Sequence, residues 1–175
     1  SKPTLLLGRA VEASAMGAVP NAWFSALVES YYRLKLMPLE NIEVLDADKV
    51  AREVSGFQNF GRLVSQDVLL SAAQKLGATH IMTHTYEIDL EAGTVYYYAE
   101  VFTAKDNNLA MTFEENFPLA ELGEHLSAFT QKLLDELGVK VSPKLAKAMK
   151  VPLLGSDPKS LELMGTAVFE AQEIQ

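Results

Sequence analysis

The sequence predicts an α/β fold bordering on α+β. It should have a mixed sheet of about five strands, opening as a βαβ unit and continuing as an antiparallel three-strand meander, with helices packed against it. Three observations predict it. Apolar residues recur at helical spacing around Trp23, Val68 and Leu126. Short apolar runs at Thr4 to Ala10 and Ile42 to Leu45 bracket the first of these helical segments. From Thr79 to Phe117 the period becomes two, in a stretch rich in Thr, Tyr, Val, Ile and Phe. With 175 residues, 49% of them hydrophobic, the chain can bury one core and is too short for two large domains.

Taken in order, Thr4 to Ala10 suits a buried first strand. Trp23, Leu27, Tyr31 and Leu34 form a helical stripe that ends before Pro38, with Asn21 available as its cap. Ile42 to Leu45 is a second strand, and Asp46 caps a helix reaching about Glu53. Ser55 to Arg62 holds two glycines and two phenylalanines without periodicity, so it reads as a loop that Phe57 and Phe60 anchor to the body. Ser65 then caps a helix carrying Val68, Leu69, Ala72, Ala73 and Leu76 on one face, and Gly77 follows its end. Turns at Ala92-Gly93 and Asp106-Asn107-Asn108 divide the meander. Leu122, Leu126, Phe129, Leu133, Leu134 and Leu137 return to helical spacing up to Gly138, in a helix expected to cover the meander. Two units are therefore expected: an α/β domain over residues 1–142, and over 143–175 a short helix, a proline-bearing linker and the start of a further helix from Leu161. The chain opens on Ser1 without the basic and apolar regions of a targeting segment and stops inside a helical pattern, so a piece of a longer protein is expected.

The formal net charge of -8 works against binding through phosphates, and no nucleic-acid partner is expected. No apolar run approaches the roughly 20 residues of a membrane span. The absence of cysteine removes disulfides, thiolate metal sites and thiol nucleophiles without assigning a compartment.

His80 and His84 lie four apart, which on a helix would suit a metal; on a strand they share a face about 13 Å apart, too far to chelate. They read better as residues of a solvated or helix-covered face, and His125 as a surface residue of a helix. Glu87 and Asp89 share one strand face, whereas Glu114 and Glu115 point to opposite faces. Both pairs read as surface charge rather than an acid–base couple. Nucleophile-elbow, phosphate-loop and dinucleotide fingerprints are absent. No catalytic residue, metal or cofactor is expected. Tyr96, Tyr97 and Tyr98 must alternate across a strand, so at least one faces outward. Between Lys105 and Lys132 lie Asp106, Glu114, Glu115, Glu121 and Glu124 with no cation, and lysines follow at 140, 144, 147 and 150. Such a pattern either steers a protein partner or is a plain solvated face. The candidate interaction surface is accordingly Tyr96, Tyr98, Glu114 and Glu115, with Phe57 and Phe60.

The motifs Leu76-Gly77-Ala78 before a strand, Asp106 in a hairpin turn, and Leu137-Gly138 after a closing helix resemble the amino-terminal-domain family of TolB-like proteins, with relatives of the FlgO and CsgG type. His84 stands where that family usually has a glycine. The resemblance covers about residues 4 to 142 and implies an anticodon-binding-like fold, often followed by tetratricopeptide repeats; "DPKSLELMGTAVFEAQ" is similar to the entry into such an array. It further implies a non-catalytic assembly or recognition module of periplasmic or lipoprotein-associated envelope proteins, or of signalling proteins. Its partner would be a protein or its own repeats, and an edge strand offers a route to a homodimer. The alternative function is small-molecule sensing, with Phe57, Phe60 and the ends of the first strands lining a pocket.

Overall fold

The structure is a computed structural model and describes residues 2–13, 21–54, 64–150, 152 and 154–174. Phe57 and Phe60 lie outside the described residues. Five strands form one mixed sheet: β1 (Thr4–Glu12), β2 (Glu43–Val44), β3 (His80–Asp89), β4 (Thr94–Thr103) and β5 (Leu109–Pro118), in the order β2-β1-β3-β4-β5. β1 runs parallel to both β2 and β3, and β3, β4 and β5 are antiparallel. Among the described residues six α-helices accompany them: α1 (Ala22–Leu36), α2 (Ala47–Val54), α3 (Gln66–Leu76), α4 (Leu122–Glu136), α5 (Pro143–Met149) and α6 (Pro158–Ile174). This is the α/β architecture expected, with the βαβ opening and the three-strand meander.

The alternation of side chains along the strands divides the core in two. On one face Leu5, Leu7, Met82, Tyr86, Val95, Tyr97, Ala99, Phe113 and Phe117 pack with α1, α4 and Leu161 of α6. On the other, Leu6, Ile81 and Ala104 pack beneath α2 and α3 through Val50, Val54, Leu69, Ala72 and Ala73. α3 begins with Ser65 accepting from the Val68 N–H and ends on Gly77 at φ 76°, a left-handed position where glycine carries no Cβ penalty.

Three local expectations change. β1 extends to Glu12, past Ala10, because β3 supplies pairing partners as far as Tyr86. Asn21 precedes α1, yet its side chain makes no capping bond; its Nδ2 donates to Glu12 Oε1 at 2.8 Å instead. Leu34 is 53% exposed, so it leaves the stripe expected of it, whereas Phe24, Val28, Tyr32 and Leu36 are buried. α1 is enclosed on more than one side, by the sheet and by α6, so a single stripe underestimates its buried surface. Beyond α4, Lys35 of α1 donates to the Met149 carbonyl at 2.5 Å, tying the end of α5 to the body. A Cβ on Gly165 of α6 would run into the Trp23 carbonyl oxygen, so α6 lies backbone-close on α1.

Candidate functional site: an open sheet face and a strand-end cleft

The antiparallel half of the sheet has unlike sides. Tyr97 points inward and is fully buried, while its neighbours Tyr96 and Tyr98 point to the opposite face and are partly exposed. The cluster beneath α2 and α3 contains no residue of β4 or β5 among the described residues. That face of β4 and β5 carries Tyr96, Tyr98, Glu100, Thr112, Glu114 and Asn116 by alternation. Tyr96 donates its hydroxyl proton to Glu114 Oε1 at 2.7 Å, a bond that raises the Tyr96 phenol above its ordinary range. Tyr98 is also raised, by desolvation first and then by Glu100. Four of the predicted surface residues therefore separate: Tyr96, Tyr98 and Glu114 share the open face, and Glu115 lies on the other side.

Glu115 serves a different contact. His125 of α4 stacks on Phe117 at 4.0 Å with rings 7° apart, and its Nδ1 lies 2.5 Å from Glu115 Oε2. Glu121 Oε2 lies 3.4 Å from its Nε2. His125 is thus a half-buried pin between α4 and β5 rather than a plain surface residue.

Net charge concentrates in the segment that forms the antiparallel strands and most of α4. From His80 to Gln131 there are nine acidic residues (Glu87, Asp89, Glu91, Glu100, Asp106, Glu114, Glu115, Glu121 and Glu124) and one cation, Lys105. That segment alone carries the whole formal charge of -8, and the rest of the chain balances.

His84 belongs to the core. Its Nε2 lies 2.8 Å from the Gly8 carbonyl, which can only accept, so Nε2 carries the proton and Nδ1 accepts from Tyr97 Oη at 2.6 Å. Tyr97 Oη in turn accepts from Tyr32 Oη at 3.0 Å. Burial lowers the His84 pKa to about 4, which keeps the ring neutral near pH 7. Both ring nitrogens are occupied by protein partners, which is the helix-covered alternative for this histidine. Gly8 permits the arrangement, since a Cβ there would meet the Met82 carbonyl oxygen at 2.8 Å.

A second feature opens where β2 stops short of β1. Among the described residues the far edge of β1 has no strand partner beyond Leu5, and α1 supplies substitutes: Ser25 Oγ donates to the Ala10 carbonyl at 2.6 Å, and Glu29 Oε1 accepts the Ala10 N–H at 3.1 Å. Beside them lies a cleft of about 1180 Å³, lined among the described residues by Arg9, Glu29, Arg33, Val50, Val54 and Thr83 together with neighbours from β1, β2 and α2. Desolvation raises the Glu29 pKa, against the pull of Arg9, the Ala10 N–H and Arg33. Glu29 was not singled out from the sequence; the signal was a lone acid amid the apolar run from Trp23 to Tyr32.

Compared with solved structures, the chain aligns with the LpoB C-terminal domain from Escherichia coli at 9% identity over 66% of this chain and 82% of that one, with a TM-score of 0.51. The two share a fold. The same holds for TolB from Acinetobacter baumannii, at 8% identity and a TM-score of 0.52, where 78% of this chain matches 28% of that protein. Lipoprotein GNA1162 from Neisseria meningitidis aligns at 12% identity over 75% of this chain and 96% of its own, with a TM-score of 0.50. No family model and no curated protein matches the sequence. At such identities the likeness is one of fold, and function must be argued from the surface described above.

Proposed function

We propose that this chain is a non-catalytic, protein-binding module of an extracytoplasmic bacterial protein, and that its open sheet face, centred on Tyr96, Tyr98 and Glu114, receives the partner. The observation that carries the reading is two outward tyrosines beside a carboxylate on the part of the sheet side that α2 and α3 leave uncovered among the described residues, in the segment that carries all the net charge. Tyrosine suits such a surface because it offers apolar area and a polar tip at low conformational cost. The fold shared with LpoB, TolB and a lipoprotein supports an envelope location, as the TolB-like resemblance does. A partner matched to this face carries net positive charge.

The test is a photocrosslinking amino acid placed at position 96 or 98 of the chain, expressed in its native bacterium. Discrete adducts are expected from both positions. They should be lost on adding Glu114→Lys and absent when the label sits at exposed Glu40. A label at 96 and 98 that yields no adduct sinks the reading.

The cleft beside β1 favours a second reading, a small-molecule sensor. Its position where β2 ends, its size and its half-buried carboxylate suit a ligand site. A ligand bound there raises the melting temperature of the wild-type chain in a thermal-shift screen and has no such effect on Glu29→Gln.

A further inference from the structure

The outer strand β5 is one edge of the sheet. The Leu119 N–H donates to the Gly93 carbonyl at 2.8 Å, which fixes the phase of the β4–β5 ladder. Counting back, Phe117, Glu115, Phe113 and Met111 exchange backbone bonds with β4. The backbone N–H and C=O groups of Thr112, Glu114 and Asn116 then point away from the sheet, and all three residues are exposed. Natural edges are blunted by charged side chains, lysine above all, by inward-pointing charges, by proline or by a bulge. β5 has no lysine, its proline is its last residue, and its one register shift lies at the Leu109 end, opposite Val101 and Phe102. Met111 to Phe117 is therefore a regular edge, open among the described residues, whose guards are the carboxylates of Glu114 and Glu115, which repel an acidic strand and leave a basic one free to pair.

We infer that this edge takes an extended cationic segment of a protein partner as a sixth strand, with a lysine or arginine opposite Glu114 on the face that bears Tyr96 and Tyr98. The inference deepens the binding reading above and rests on it. The choice of occupant follows from charge. Antiparallel pairing of two copies about the middle of β5 sets Glu114 against its own counterpart, inside a segment already carrying -8. Like charges directly opposite one another destabilise a strand pair, whereas a cation there gains from both position and field. Because side chains alternate, the residues flanking that cation fall on the α4 side of the sheet, opposite Phe113 and Glu115, whose carboxylate already meets His125. The fitting segment carries its basic residues at alternate positions, on the face of Glu114. Strand addition of this kind draws affinity from backbone bonds and selectivity from alternate side chains.

A short synthetic peptide alternating lysine and valine tests this, beside the same peptide N-methylated at alternate backbone nitrogens. Charge and side chains are then equal, and only the capacity to form a ladder differs. The plain peptide is expected to bind the full chain and to slow amide exchange at Thr112, Glu114 and Asn116. N-methylation or Glu114→Lys should each weaken binding about tenfold or more. Equal binding by the two peptides overturns strand addition and leaves the cross-links from positions 96 and 98 untouched. Loss of those cross-links with edge protection intact removes the tyrosine-centred reading instead.

Discussion

At the scale of single residues, the hydroxyl of Tyr97 holds the core's polar chain together. It donates to His84 and accepts from Tyr32, in a site where none of the three rings reaches water. Removing it leaves a buried nitrogen acceptor and a buried hydroxyl without their partner, at about 1 to 3 kcal/mol each. Tyr97→Phe should therefore lower unfolding free energy by about 2 to 4 kcal/mol in a urea titration. Tyr96→Phe, which loses only the exposed bond to Glu114, should stay within about 0.5 kcal/mol of wild type. Equal effects from the two substitutions contradict the buried chain. The use of His84 was hidden from sequence reasoning because its hydrogen-bond partners at Gly8 and Tyr97 are 76 and 13 residues away.

At the scale of elements, local signals were legible where local physics decides. Ser65 and Gly77 bound α3 as expected, and the period-two stretch becomes three strands with turns at Gly93 and Asn107, both at positive φ. What the sequence concealed depends on neighbours distant in the chain. Asn21 abandons capping because Glu12 lies beside it, and His125 stacks because β5 brings Phe117 beneath it. Of the candidate surface, the tyrosine alternation was readable from strand periodicity, whereas the division between Glu114 and Glu115 acquired meaning only once α4 was seen to cover one side. The α1–α6 contact offers an element-scale test. In a free helix, Gly165→Ala would add stability of about 1 kcal/mol through helix propensity. Here its methyl meets the Trp23 backbone, so we expect a loss of about 1 to 3 kcal/mol in the same titration. A gain would mean that α6 does not press on α1.

At the scale of the whole molecule, two enclosed ionisable groups set opposing pH dependences. The folded pKa of His84, about 4, lies below its unfolded value near 6.5, so its stability contribution is present above pH 6.5 and lost as pH falls towards 4. The full difference is on the order of 3 kcal/mol. Glu29, whose folded pKa is raised, takes up its proton in the folded state first, and this favours folding as pH drops. Glu29→Gln removes that compensation. Its unfolding free energy should fall more steeply than wild type between pH 6.5 and 4, and parallel pH profiles would show that Glu29 is not enclosed.

The position of β1 also dictates an order of assembly. This strand precedes the other four in sequence yet lies between β2 and β3 in the sheet, and its pairing with β3 joins Leu5 to His80. During synthesis Leu5, Leu6 and Leu7 leave the ribosome long before that partner exists. The meander, by contrast, closes through neighbouring hairpins. Contacts so distant in sequence form slowly because loop closure precedes their reward. The nascent chain therefore carries an unpaired apolar strand until β3 emerges, and that interval is when a chaperone would find it.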